Sequence, residues 1–150
     1  MKNIGLIGCG HISETYFRSC EYFNNINIIA CADLNIDAAK KCATAYNIVS
    51  KSVDDLLSDE NIDVILNLTN PIAHYQTIKN TLNAGKHSYC EKPIAINFDQ
   101  GKELIELANS KNLYLGNAPD TFLGGGGQLT KKIIERGDVG EIKLGNFTFA

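Results

Sequence analysis

The sequence contains no tryptophan, one methionine and 3 prolines, and it has no excess of positive charge, with 14 Lys+Arg against 17 Asp+Glu for a formal net charge of -3. A chain without a basic excess has no electrostatic footprint for nucleic acid or for an anionic membrane surface, so neither is an expected partner. No apolar run approaches the roughly 20 residues of a membrane-spanning helix, and the first residues lack the charged-then-apolar layout of a signal peptide. A soluble, untargeted, cytoplasmic protein is expected. The cysteines, Cys9, Cys20, Cys31, Cys42 and Cys90, include no CxxC pair and are odd in number, which opposes both a zinc knuckle and a closed disulfide framework. Reduced thiols and no metal site are expected. The first four recur every 11 residues, but the surrounding sequence does not repeat with them, and the spacing reads as coincidence. What is present is apolar material: 44% hydrophobic residues, in a chain long enough to bury roughly two-thirds of its unfolded surface. A small-molecule partner fits best.

The chain alternates short apolar runs with helical periods. Lys2 to Cys9 (KNIGLIGC) reads as a fully buried parallel strand. From His11 to about Phe23, the residues Ile12, Tyr16, Phe17, Cys20 and Phe23 recur at spacings of three and four and form one apolar stripe. Ile26 to Ala32 (INIIACA) is the second strand, and Ile36 to Tyr46 the second helix. A short Ile48-Val49 strand, a small helix around Val53 to Leu57 and a strand Val64 to Leu68 (VILNL) follow. A helix from about Ala73 to Asn83 ends at Gly85, a glycine C-terminus. His87 to Cys90, a helix Phe98 to Ser110 with Leu104, Ile105, Leu107 and Ala108 inward, and Leu113 to Gly116 complete six strands. This alternation predicts an α/β fold, a Rossmann-type doubly wound parallel sheet. After a helix around Gln128 to Glu135 and a Gly137 to Gly140 turn, Glu141 to Ala150 (EIKLGNFTFA) alternates like an antiparallel strand. Such a strand needs a second sheet, so it is expected to belong to a second α/β domain outside this sequence; a lone edge strand on the parallel sheet is the plainer alternative.

Three clusters carry chemistry. Gly8-Cys9-Gly10-His11-Ile12-Ser13 sits between the first strand and the first helix, where a dinucleotide fold places its pyrophosphate. Gly8 permits the tight turn, Gly10 lets the backbone approach phosphate, and the amides of His11 and Ile12 open the helix toward the anion. Ser13 stands where the fingerprint has Gly or Ala and is small enough for helix–strand packing. Asp33 closes the second strand 20 residues after Ser13, where a carboxylate accepts hydrogen bonds from ribose hydroxyls. Leu34, Asn35 and Ile36 follow it without a basic residue, so NAD is favoured over NADP; a helix N-cap is the plainer role for Asp33.

The second cluster is Thr69-Asn70-Pro71 with His74, at the carboxyl end of the fourth strand, where an open α/β sheet lines its ligand crevice. Thr69 or Asn70 could equally cap the next helix, and His74 reads as a surface residue or as a neighbour of the nicotinamide. The third is Glu91-Lys92-Pro93, after the fifth strand. A lysine in the crevice beside a carboxylate is suited to pass a proton to or from a substrate hydroxyl, while an exposed Glu-Lys pair is the plainer reading.

The GCGHIS turn, Asp33, TNPIAH at 69–74, EKP at 91–93 and GNAPDTFLGGGGQ at 116–128 together resemble the Gfo/Idh/MocA oxidoreductases, the group of glucose-fructose oxidoreductase and inositol dehydrogenase. The resemblance implies an NAD(P)-binding domain over 1–120, with 121–150 supplying a connecting helix and the first strand of a substrate domain. It also implies hydride transfer between a nicotinamide cofactor and a sugar or cyclic polyol hydroxyl, Lys92 as the catalytic lysine, and homo-oligomers in full-length members. The usual acid and histidine partners of that lysine lie in the second domain, so the 150 residues alone are expected to be inactive. Four consecutive glycines, Gly124 to Gly127, stand where relatives mix glycine with alanine or serine, which points to backbone freedom or a plain linker. A non-enzymatic dinucleotide-sensing regulatory protein of the same fold is the alternative; retention of Lys92 opposes it.

Overall fold

In the computed structural model, which describes residues 1–119 and 121–146, the alternating runs become a sheet of six strands: β1 (Lys2–Ile7), β2 (Ile26–Ala32), β3 (Val49–Ser50), β4 (Val64–Asn67), β5 (His87–Cys90) and β6 (Leu115–Asn117). Between them run α1 (His11–Cys20), α2 (Ile36–Tyr46), α3 (Val53–Ser58), α4 (Pro71–Asn83) and α5 (Phe98–Ser110). The order is β3-β2-β1-β4-β5-β6, and every pairing is parallel. The chain winds outward from β1 through β3, returns to β4 beside β1, and winds outward again. The carboxyl ends of β1 and β4 therefore part around a crevice at the reversal.

Strands covered on both faces send alternate side chains to opposite layers. On one side Ile4, Leu6, Phe17, Ile28, Cys31, Cys42, Ala43 and Leu66 pack together, and Phe17 stacks on Tyr46 with ring centroids 3.8 Å apart. On the other, Ile7, Ala30, Ala32, Leu56, Ile62 and Ile65 pack together. A further cluster joins Ile78, Leu82, Cys90, Leu104 and Ala108. Leu6, Leu56, Ile65, Ile78, Leu82 and Leu104 are fully buried, each contributing about 1.5–3 kcal/mol of hydrophobic burial.

Several expectations shift. The stripe of α1 is narrower than its spacing suggests, with Phe17 and Ser13 buried but Ile12 and Phe23 exposed. The helix stops at Cys20, which leaves Phe23 beyond it, and Ile12 lies in the open first turn. Ile105 is 53% exposed, because it lies about 100° round the helix from the Gly101, Leu104 and Ala108 stripe. β1 ends two residues early, β3 moves to Val49–Ser50, β6 to Leu115–Asn117, and α4 begins at Pro71 rather than Ala73.

This sheet lies in the first of two compact units, Met1–Ala118; the second is Pro119–Ala150. In the second unit a 3-10 turn at Thr121–Leu123 precedes α6 (Gly125–Glu135). Gly124 is its N-cap, so the glycine run starts a helix instead of forming a linker. A Cβ on Gly127 would lie 2.9 Å from the Phe122 carbonyl oxygen, which explains one of the four. The Gly137 to Gly140 turn forms as expected, with the Gly140 N–H donating to the Gly137 carbonyl at 2.9 Å. Of the strand expected over Glu141 to Ala150, residues 141–146 are irregular, and 147–150 lie outside the described residues. Among the described residues no helix is long and apolar enough to cross a membrane.

Candidate dinucleotide site

Gly8 leaves β1 with φ 101°, and its N–H donates to the Ala32 carbonyl at 2.9 Å. A Cβ there would lie 2.6 Å from the Leu68 carbonyl carbon and oxygen and 2.8 Å from the Thr69 nitrogen. The position thus excludes side chains twice, by its left-handed backbone and by the approach of the segment after β4. Gly10 differs: it is the N-cap of α1 with no side-chain cap, and a Cβ would meet nothing within 4 Å. The amides opening α1 at His11 and Ile12 therefore stand under no capping side chain, at a helix end carrying about +0.5 charge. Ser13 is buried, and its hydroxyl donates to the Gly10 carbonyl at 2.7 Å, so a small residue fills the sixth place and braces the turn.

Asp33 faces this turn from the end of β2. Its carboxylate accepts from the Cys9 N–H at 2.7 Å and from the Asn35 N–H at 2.8 Å. The N-cap of α2 is Asn35, which accepts from the amides of Asp37 and Ala38, so the capping role considered for Asp33 belongs to its neighbour. A carboxylate offers about four acceptor positions, so two remain after these bonds. Gly8, Gly10, Asp33, Leu34, Leu68, Thr69, Asn70 and Ala73 line one cleft of about 370 Å³. Beside it, a hollow of about 560 Å³ holds Asp33, Lys40 and Lys51. Lys51 is paired with Asp59 at 2.8 Å, and that ammonium is the first cause holding the Asp59 carboxyl down at about 2.

Asn70 caps α4, accepting from the Ala73 N–H at 3.2 Å, with Pro71 at the first helical position, where no N–H is required. Thr69 donates to Asn67 Oδ1 at 2.7 Å. His74 overturns the surface reading: it is 1% exposed, with Nε2 2.8 Å from the Thr69 carbonyl and Nδ1 2.6 Å from the Pro93 carbonyl. One ring thus couples the loop after β4 to the Glu91-Lys92-Pro93 turn. Replacing His74 with Ala is expected to cost about 2–4 kcal/mol, through a cavity and a carbonyl left without its ring N–H donor. Urea denaturation at unchanged m would measure it; a loss below about 0.5 kcal/mol would show the ring to be dispensable for the fold.

The Lys92-Pro93 bond is cis. Glu91 Oε1 accepts from the Tyr16 hydroxyl at 2.8 Å, and Oε2 from the Lys92 backbone N–H at 3.1 Å. Asn117 Nδ2 donates to the carbonyls of Cys90 at 2.9 Å and Glu91 at 3.1 Å. The carboxylate expected to accompany the Lys92 ammonium is thus directed to Tyr16, and among the described residues no ion pair or side-chain hydrogen bond engages Lys92 Nζ. Tyr16, Asn67 and Asn117 brace this turn and its neighbour, a role the sequence did not show: Tyr16 reads there only as part of an apolar stripe. Asn67 was detectable as an amide ending an otherwise apolar strand, and Asn117 as part of the motif at 116–128.

Beneath the glycine turn lie three thiols. Hydrogen bonding from Cys9, and then from Cys42, brings Cys31 down to about 7 against the opposing effect of burial. Burial and the charge on Cys31 push Cys42 up to about 11, while the hydrogen bond with Cys31 and burial raise Cys9. Charge on Cys31 thus raises both of its neighbours. Cys90, below Glu91, is pushed up to about 12 by burial and by that carboxylate.

Residues 2–118 match the profile of an oxidoreductase family described by its NAD-binding Rossmann fold, GFO_IDH_MocA. The chain is 36% identical over 122 residues to an uncharacterized oxidoreductase of Schizosaccharomyces pombe, covering 79% of this chain and 33% of that protein. It is 28% identical over 145 residues to the inositol 2-dehydrogenase of Azotobacter vinelandii, covering 93% of this chain and 43% of the relative. The WlbA dehydrogenase of Bordetella pertussis, solved with NADH and UDP-GlcNAcA, superposes with a TM-score of 0.88 at 25% identity, over 93% of this chain and 41% of that one. The chain thus spans less than half the length of these proteins. With the strand order, the glycine turn and the profile match in agreement, the chain belongs to the Gfo/Idh/MocA oxidoreductase family, and its residues 2–118 form the NAD-binding Rossmann fold.

Proposed function

We propose that this chain is the cofactor-binding part of a dehydrogenase acting on a hydroxyl of a sugar or cyclic polyol, with NAD preferred over NADP. The observation that carries the reading is the convergence of Gly8, Gly10, Asp33, Thr69 and Asn70 on one cleft. The open end of α1 at Gly10, His11 and Ile12 holds the pyrophosphate, since unpaired amides and the dipole favour an anion there. The free acceptor positions of Asp33 take the adenosine ribose hydroxyls. Thr69, Asn70 and Pro71 line the continuation toward the nicotinamide, and His74 acts behind them as a positioning residue for Pro93. A bound nicotinamide supplies the hydride acceptor or donor. Lys92 is assigned as the catalytic residue, its Nζ holding the proton exchanged with the substrate hydroxyl oxygen, with Glu91 fixing its backbone through Tyr16. Residues 1–120 form the dinucleotide domain, and 121–150 lead into a substrate domain that completes the site and the homo-oligomer.

The preference for NAD follows from charge. The Asp33 carboxylate repels a 2′-phosphate, and Lys51, the basic residue after β3, is committed to Asp59. Replacing Asp33 with Ala is expected to weaken NAD binding by about 1–3 kcal/mol, the scale of a lost charge-assisted hydrogen bond, and to narrow the gap to NADP. Calorimetry with both dinucleotides on both proteins checks this; equal affinities in the unmutated chain would overturn the assignment.

A further inference from the structure

We propose that Cys9, Cys31 and Cys42 form a binding site for a thiophilic d10 cation, Cu(I) or Zn(II), on the core side of the glycine turn. Their three Sγ atoms lie within 4.8 Å of one another. A metal–thiolate bond of about 2.3 Å sets sulfur pairs about 3.7–4.0 Å apart in tetrahedral or trigonal geometry, so the thiols need to close by at most about 1 Å. They come from three elements: Cys9 from the turn after β1, Cys31 from β2 and Cys42 from α2. Cys31 and Cys42 are buried, whereas Cys9 is partly exposed, which provides an entry path. In the thiol state Cys9 donates to the Ala32 carbonyl at 3.6 Å and Cys31 to the Ala39 carbonyl at 3.4 Å, contacts weak enough to surrender.

The donor set decides the class of ion. Three sulfurs with no imidazole or carboxylate in the group discriminate against magnesium, calcium and manganese and favour soft cations. Cu(I) is satisfied by three thiolates, and Zn(II) takes water as a fourth ligand on the exposed Cys9 side. The thiol protons pass to solvent as the metal–sulfur bonds form, and no electron is transferred. None of the three cysteines lines the dinucleotide cleft, and the Cys9 backbone N–H stays on Asp33, so the cation and the dinucleotide occupy opposite sides of the same turn. A cation here ties together the turn, β2 and α2, the parts that position Asp33.

The test is titration of the reduced chain with Cd(II), a d10 probe that reports thiolate coordination by ultraviolet charge transfer, and separately with Zn(II) and with Cu(I). A saturable one-to-one charge-transfer signal is expected, with a raised melting temperature in the Zn(II) or Cu(I) arm. Cys9→Ser should weaken binding by more than about 100-fold, beyond the usual effect of losing a mere outer-shell partner. Cys20→Ser should leave binding unchanged, since Cys20 is outside the group. Cys42→Ala should abolish binding; should it unfold, Cys9→Ser at the more accessible position carries the test. Tighter binding of Cu(I) indicates the trigonal site and tight binding of Zn(II) the water-completed one, and either supports the proposal. Absence of a one-to-one signal, its survival in Cys9→Ser, or its loss in Cys20→Ser would overturn it.

Discussion

Exchange of Lys92 for Ala is expected to lower kcat about 10²–10⁴-fold in a form of the protein that turns substrate over, the range for loss of a general acid or base. The melting temperature should hardly move. Lys92 is exposed, and the Glu91 carboxylate accepts from Tyr16 and from the Lys92 backbone N–H. On the proposed role, truncating the side chain removes the proton carrier, and no buried partner is left unpaired. A residue that positions the turn would behave differently: Tyr16→Phe should loosen Glu91 and affect kcat less than Lys92→Ala. Turnover of Lys92→Ala within a few-fold of the parent, by steady-state kinetics, would reduce Lys92 to a surface charge.

The second large effect separates two glycines that look alike in the sequence. Gly8→Ala is expected to destabilise the fold by about 2–4 kcal/mol, combining the left-handed φ with a clash against rigid backbone. The clash cannot be relieved by a rotamer change, because the atoms met at 2.6 Å are the Leu68 carbonyl carbon and oxygen. Gly10→Ala, with nothing within 4 Å of its Cβ, should cost under about 1 kcal/mol, the loss of a tolerated N-cap. Its methyl group enters the space phosphate would approach, so dinucleotide affinity should fall by about tenfold or more, some 1.4 kcal/mol. Urea midpoints and dinucleotide titrations of the two variants, side by side, check the separation. Equal stability losses would mean that the turn is braced differently from the geometry at Leu68.

The order of elements, the doubly wound class, the glycine turn and the place of Asp33 were legible in the sequence. Each is written in a local code: an apolar period, a glycine followed by a helix, an acid closing a strand. The same code misjudged Ile12 and Ile105, because periodicity marks a face without saying how much of it a neighbour covers. It also offered Asp33 as a helix N-cap, whereas Asn35 caps α2, because composition alone does not say which short polar residue the backbone turns toward the first amides.

The rest depended on which elements become neighbours. His74 looked like a surface residue because its partners, the Thr69 and Pro93 carbonyls, meet only when β4 and β5 pair. Tyr16 reaches Glu91 across 75 positions, and Asn117 reaches the same turn across 26. The cysteines at 9, 31 and 42 carried no metal-ligand spacing, yet the pairing of β1 with β2 and the packing of α2 gather their sulfurs. A local pattern constrains a residue's own backbone and the face it presents. Contacts made across the chain depend on strand order and register, and those come from the summed burial of every element at once.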